Sequence, residues 1–218
     1  MPRFREGSED EGIWNAIYVA NDYNLHGEWH GTVIDIGGHI GSFACFAVDK
    51  LKSRQVISVE PNWSNVQMLD ENAASRHVIE PVWAAVAGVN GRRLRKAGES
   101  FPNTGGARYE PCEPHEQPEG PAMSITLDAL LSTADYTPVL VKIDCEGAEY
   151  EILDAWKDTS KVGAVVGEWH AESEQDVEVR RKRLIEIFES RGFVVSVGPP
   201  HSKDALVGLF AAHKGSSE

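Results

Sequence analysis

Long apolar runs, a basic surplus and paired cysteines are all missing from this sequence of 218 residues. No stretch approaches the ~20 consecutive apolar residues that a membrane-spanning helix requires. The opening MPRFREGSEDEG also lacks the apolar centre of a secretory signal. A cytoplasmic protein with no membrane partner is therefore expected. Acidic residues outnumber basic ones 34 to 21, a formal net charge of −13, which would repel a phosphate backbone. No nucleic acid is expected as a partner, because the single dense basic run, Arg180 to Arg183, falls in a helical pattern and reads as a solvated face. Cys45, Cys112 and Cys145 are an odd set without metal-ligand spacing, so they read as reduced thiols. No internal repeat is visible.

What is present is ordinary for one globular domain: 41% apolar and 25% charged residues. Residues 1–30 read as a helical lead-in, with IWNAIYVAND at near-helical spacing and a glycine-bearing loop after it. From residue 31 to 218 strands and helices alternate. TVIDIG, QVISVE, HVIEPVWAAVAG, TPVLVKIDCEG and VGAVVGEWH read as five strands, and FVVSVG and ALVGLFAAH as an antiparallel pair across the SKD turn. Helical patterns fall between them, the clearest being WSNVQMLDENAASR and DVEVRRKRLIEIFESRG. Residues 88–121 break the pattern and read as an inserted loop or hairpin, with GRRLRK and GARYE as its strands. This alternation predicts an α/β, doubly wound, mostly parallel sheet whose ligands bind beyond the carboxyl ends of the strands.

VIDIGGHIGSF carries the strongest local signal. Asp35 ends a strand, and Gly37, Gly38 and Gly41 form the turn into a helix. The glycines miss the G-x-G-x-x-G register of dinucleotide sites, and an acid at position 35 would repel a pyrophosphate. It suits a cationic ligand such as the ammonium or sulfonium end of S-adenosylmethionine. Glu60, ending the second strand, is placed to accept hydrogen bonds from ribose hydroxyls. Trp63 either lies against an adenine or packs on the sheet.

Taken in order, VIDIGGHIGSF, VISVEPNWSNVQMLDEN, VWAAVAG, SITLDALL, VKIDCEGAEYEIL and VVGEWH resemble the motifs of FkbM-type methyltransferases. The resemblance spans Thr32 to His170 and implies a Rossmann-like class I methyltransferase fold, with seven strands and the last antiparallel. It implies S-adenosylmethionine as cofactor, S-adenosylhomocysteine as product, and O-methylation of a small secondary metabolite or saccharide. Residue by residue, Asp35, Gly37 and Gly41, with Gly38 and His39 in the same turn, would hold the methionine end. Glu60 would hold the ribose; Pro61, Asn62, Trp63, Ala84 and Ala85 would border the adenine. His39 departs from the family, which usually has asparagine there.

Methyl transfer is an in-line displacement at an activated carbon, so alignment is the main task. A hydroxyl acceptor also gains from a proton acceptor. Strand ends bring Lys142, Asp144 and Glu146 near Glu168 and His170, the last two on one side of their strand. His170 is the candidate base, with Asp144 or Glu168 orienting it or the acceptor. Asp144 and Glu146 could instead cap the following helix. Asp144, Glu168 and His170 are also of metal-ligand type, but no metal is expected. His26, Glu28 and His30 alternate before the first strand, and NTGGARY, residues 103–109, could close over the acceptor. An N-methyltransferase, an NAD-dependent oxidoreductase and a non-catalytic S-adenosylmethionine-binding protein remain as alternatives, and a homodimer is left open.

Overall fold

A computed structural model describes residues 1–97, 102–113, 115, 122–202 and 205–215. Parts of the expected insertion (98–101, 114, 116–121) and of the SKD turn (203–204) lie outside the described residues.

Seven strands form the main sheet: β1 (Thr32–Ile36), β2 (Gln55–Glu60), β3 (Ile79–Trp83), β8 (Val139–Ile143), β9 (Val162–His170), β10 (Phe193–Pro200) and β11 (Val207–Lys214). Their order is β10-β11-β9-β8-β1-β2-β3. The pairs among β1, β2, β3, β8 and β9 are parallel, and β11 runs antiparallel to both β9 and β10. This is the expected doubly wound sheet with one reversed strand. Every residue of β1 and β8 is buried, because helices cover both faces of a parallel sheet. Alternate residues feed opposite cores. Val33 and Leu140 pack with Phe43, Phe46 and Leu69, whereas Ile34 and Val141 pack with Leu127, Ile152 and Phe188.

The covering helices are α2 (Ser42–Asp49), α3 (Trp63–Ala73), α4 (Leu127–Ser132), α5 (Glu149–Ala155) and α6 (Val177–Glu189). Local chemistry sets their ends. Asn62 caps α3 by accepting from the Ser64 amide at 3.1 Å, and Thr126 caps α4 by accepting from the Ala129 amide at 3.3 Å. The lead-in is helical as α1 (Asp10–Trp14) followed by a π-helical turn, Asn15–Ala20. It has no core of its own, since Trp14 and Tyr23 are buried in the same cluster as Phe43 and Leu69.

The third strand is shorter than its apolar run suggests. It stops at Trp83, and the next two strand residues, β4 (Ala85–Val86), pair with β7 (Ala122–Ile125). β7 pairs with β5 (Arg93–Ala97), and β5 with β6 (Arg108–Pro111), giving a second, four-stranded sheet. The insertion is thus anchored in a sheet, whereas the sequence pattern suggested only a hairpin. An apolar run marks strands but not the sheet they join. Among the described residues no helix is long and apolar enough to cross a membrane.

Candidate active site

A cavity of about 300 Å³ opens beyond the carboxyl ends of β1, β2 and β8. It lies where the strand order reverses between β1 and its two neighbours, the usual ligand position in such sheets. Gly37, Glu60, Pro61, Ala85, Asp144 and His170 line it. Asp35, Gly38, His39, Gly41, Asn62, Trp63, Ala84 and Glu168 are not among the residues that line it.

Asp35 does not face the cavity. Its side chain is fully buried, with Ser58 Oγ donating to Oδ2 at 2.7 Å and Lys142 Nζ 3.2 Å from Oδ1. The cation it meets is a lysine of the neighbouring strand, because Asp35 lies opposite Lys142 in the β1–β8 register. Lys142 Nζ also donates to the carbonyls of Gly37 at 2.6 Å and Ile36 at 3.2 Å. Burial disfavours its charge, but Asp35 and Asp144 outweigh that and raise its pKa. Asp35 and Lys142 together hold the glycine turn from beneath. Gly37 sits at φ +79°, where a Cβ would lie 1.8 Å from the Asp144 carbonyl oxygen; one on Gly38 would lie 2.2 Å from Ser58 Oγ. These glycines are required by protein packing at least as much as by a ligand.

Glu60 closes the other side. Oε1 accepts from the Asn62 amide at 2.8 Å and Asn65 Nδ2 at 3.2 Å, and Oε2 accepts from the His39 amide at 2.9 Å. A carboxylate has about four acceptor positions, so capacity remains for a ligand hydroxyl. Burial raises its pKa against the pull of those donors. His39 sits at φ +47°, a region that Asn, Asp and His tolerate better than most residues. Its Nε2 lies 2.7 Å from Thr104 Oγ1. Trp63 is half exposed, with its ring centroid 4.8 Å from that of Trp83, so it packs beside the cavity. His26 bonds Asn24, and His30 pairs with Glu28 at the surface, both away from the cavity.

The ends of β8 and β9 assemble an acidic group around one imidazole. His170 Nδ1 is 2.9 Å from Glu149 Oε1, and its Nε2 is 3.6 Å from Glu146 Oε2 and 3.9 Å from Glu168 Oε2. Glu149, at the start of α5, is therefore the residue that orients His170, a role expected of Asp144 or Glu168. It also accepts from the amides of Cys145 at 3.2 Å and Gly147 at 3.1 Å, the loop-bonding role expected of Asp144 and Glu146. Glu149 stands inside VKIDCEGAEYEIL, but its direction toward His170 depends on the β8–β9 pairing. Tyr23 is a second residue that sequence reasoning missed. Its hydroxyl donates to Asp144 Oδ2 at 3.2 Å, bringing the lead-in to the site.

This crowding sets the protonation states. Burial disfavours the His170 imidazolium, but Glu149 and the other carboxylates overcome it and push the pKa up to about 9. Burial and the charge of Asp144 push Glu168 up to about 8, and burial also raises Glu146. At neutral pH His170 is charged, its proton held among carboxylates whose own pKa values burial raises. Asp144, Glu146 and His170 each bring one ligand-type atom to within 4.8 Å of the others, a spacing that a cation could bridge.

Residues 35–195 match the methyltransferase FkbM domain. The chain belongs to the FkbM methyltransferase family. No curated protein matches its sequence. Solved structures with this fold include a methyltransferase FkbM from Methylobacillus flagellatus KT, with a TM-score of 0.57 and 14% identity over 92% of this chain and 48% of that one. This FkbM chain thus spans about half the length of that relative. A precorrin-6y C5,15-methyltransferase from Geobacter metallireducens GS-15 aligns over 99% of this chain and 94% of its own, with a TM-score of 0.50 and 16% identity. M. capricolum TrmK, solved with S-adenosyl-homocysteine, aligns over 93% of this chain and 67% of its own, with a TM-score of 0.51 and 11% identity. With the family comes its cofactor, S-adenosylmethionine, and the dinucleotide-dependent alternative falls away. The residues present fit that cofactor: Glu60 offers the cavity a carboxylate with acceptor capacity, and Asp144 and Glu146 give it negative charge that complements a sulfonium.

Proposed function

We propose that this FkbM chain transfers a methyl group from S-adenosylmethionine to a hydroxyl of a small molecule, a secondary metabolite or saccharide. The observation that carries the reading is the group of Asp144, Glu146 and His170 lining the cavity, with Glu168 beside His170, on and after strands β8 and β9, which lie two and three strands from β2, where Glu60 stands. Glu60, Pro61 and Ala85 bind and border the cofactor. Asp35, Gly38, His39 and Gly41 shape the turn that receives it. Bound S-adenosylmethionine supplies the activated methyl group and leaves as S-adenosylhomocysteine.

A hydroxyl must lose its proton as the new O–CH3 bond forms. Glu168, whose pKa of about 8 leaves a fraction ionised near neutral pH that grows as pH rises, accepts that proton, with the charged His170 3.9 Å away. An amine acceptor would need no such group if it were neutral, which is why the cluster favours oxygen over nitrogen. The surplus of acidic residues, a formal −13, opposes a nucleic acid as acceptor.

The test has two stages. Calorimetric titration with S-adenosylhomocysteine, with NAD as a parallel control, should show saturable binding of the former only. Transfer from labelled S-adenosylmethionine to hydroxyl and amine panels should then give O-methyl products by mass spectrometry. N-methyl products would overturn the acceptor assignment, and binding without transfer across both panels would favour a non-catalytic binder.

A further inference from the structure

One wall of the cavity comes from the chain after β5. Gly105, Ala107, Arg108 and Tyr109 line it directly. Among the described residues of this stretch the most deeply buried is Thr104, at 7% exposure, and its contacts run to distant parts of the chain. Its hydroxyl donates to Asp10 Oδ1 at 2.6 Å and accepts from Arg5 Nη2 at 2.9 Å; His39 Nε2 lies 2.7 Å away. Its carbonyl accepts from Asn65 Nδ2 at 3.0 Å. A backbone bond, Glu9 N to Pro102 O at 3.1 Å, ties the same two regions once more.

Asp10 is the centre of this knot. Its side chain is fully buried and meets Arg5 through two guanidinium bonds, Nε to Oδ2 and Nη2 to Oδ1, each 2.9 Å. A buried carboxylate is tolerated only when its partners are in place. Burial opposes ionisation of Asp10, but His39, Arg5 and Thr104 overcome it and hold the carboxyl far below the usual carboxylate range. Asp10 also lies outside residues 35–195, the part that matches the family.

We propose that Asp10 is a positioning residue for the cofactor site: through Thr104 it fastens residues 103–109 over the cavity, so that the lead-in governs how long the cofactor stays bound. The inference rests on the cofactor reading above. The strap is clamped at Thr104 between the lead-in and the glycine turn, and Gly105 and its successors follow that anchor across the cavity. Loosening the anchor opens the wall without touching the acidic cluster, and it reaches Glu60 only indirectly, through Asn65 and His39, which bond both Thr104 and Glu60.

The experiment compares the full chain with Thr104→Val, Thr104→Ser and Asp10→Asn. Stopped-flow dissociation of S-adenosylhomocysteine is read beside amide hydrogen exchange of the free proteins. Thr104→Val should speed dissociation about tenfold, equivalent to about 1.4 kcal/mol, a fair value for a hydrogen bond to a charged group. Thr104→Ser, which keeps the hydroxyl, should restore the rate to within about twofold of the parent. Exchange at 102–109 should accelerate in Thr104→Val and Asp10→Asn while β8 keeps its protection. Parental dissociation and parental exchange at 102–109 in Thr104→Val would overturn the proposal. If the parent failed to bind S-adenosylhomocysteine, the cofactor reading would fall, and exchange at 102–109 would still decide whether Asp10 fastens the strap.

Discussion

Lys142 and Asp35 meet as an ion pair, Nζ to Oδ1 at 3.2 Å, with both side chains almost wholly withdrawn from water. They sit on adjacent strands in register, and the lysine spends its other protons on the carbonyls that begin the glycine turn. The acid expected to meet a ligand's positive charge is neutralised from inside the protein. Its proposed influence on the cofactor runs through the shape of the turn.

Breaking that pair should be costly. Asp35→Asn leaves a buried ammonium with only its carbonyls and Asp144, and should lower stability by about 3–5 kcal/mol. Asp35→Asn combined with Lys142→Met should cost less than the two changes summed, because no lone charge remains buried. Urea unfolding of the three variants measures both, and strict additivity would show that the residues do not act as a pair.

Glu149→Gln should release His170. In the folded parent the imidazole pKa is pushed from 6.5 to about 9. Its stabilising contribution is therefore present in full below pH 6.5 and lost as pH rises through about 9. The variant should move the imidazole back toward 6.5 and flatten stability over that window. Titration of the ring by NMR, alongside melting curves from pH 6 to 10, reads both; an imidazole that stays near 9 would exclude Glu149 as the cause.

Glu168 has the opposite chemistry and the same direction of pH dependence. The unfolded carboxyl ionises near 4.5 and the folded one near 8, so the folded protein loses stability as pH rises across that interval. Glu168→Gln removes the penalty. Its melting temperature relative to the parent should climb from pH 5 to pH 8 and then level, by about 2–4 °C for each kcal/mol relieved. Transfer to a hydroxyl should fall by about 10²-fold or more, the usual contribution of a proton acceptor. Unchanged turnover would remove Glu168 from the reaction.

Glu60 and Trp63 should part company in cofactor binding. Glu60→Gln replaces one acceptor oxygen by an amide and should weaken S-adenosylhomocysteine by about tenfold or more. Trp63→Ala should stay within about twofold, because the indole rests on Trp83 beside the cavity. Calorimetry of the two variants checks the pair, and a large loss in Trp63→Ala would place the ring against the adenine after all.

Much of this molecule was legible in one dimension. The alternation of apolar runs and amphipathic segments predicted the parallel sheet, and the glycine turn and Glu60 are where their motifs placed them, because strand ends and turns are set by neighbours in sequence. VVGEWH brought Glu168 and His170 to one side of their strand for the same reason. What the sequence could not decide was partnership. Asp35 meets Lys142, Glu149 meets His170, Tyr23 meets Asp144 and Asp10 meets Thr104 across gaps of 21 to 121 residues. Which of these carboxylates is silenced, which titrates and which holds the cavity wall depends on sheet order, register and burial. Those are properties of strands that become neighbours only when the chain has folded, and no local pattern of residues records them.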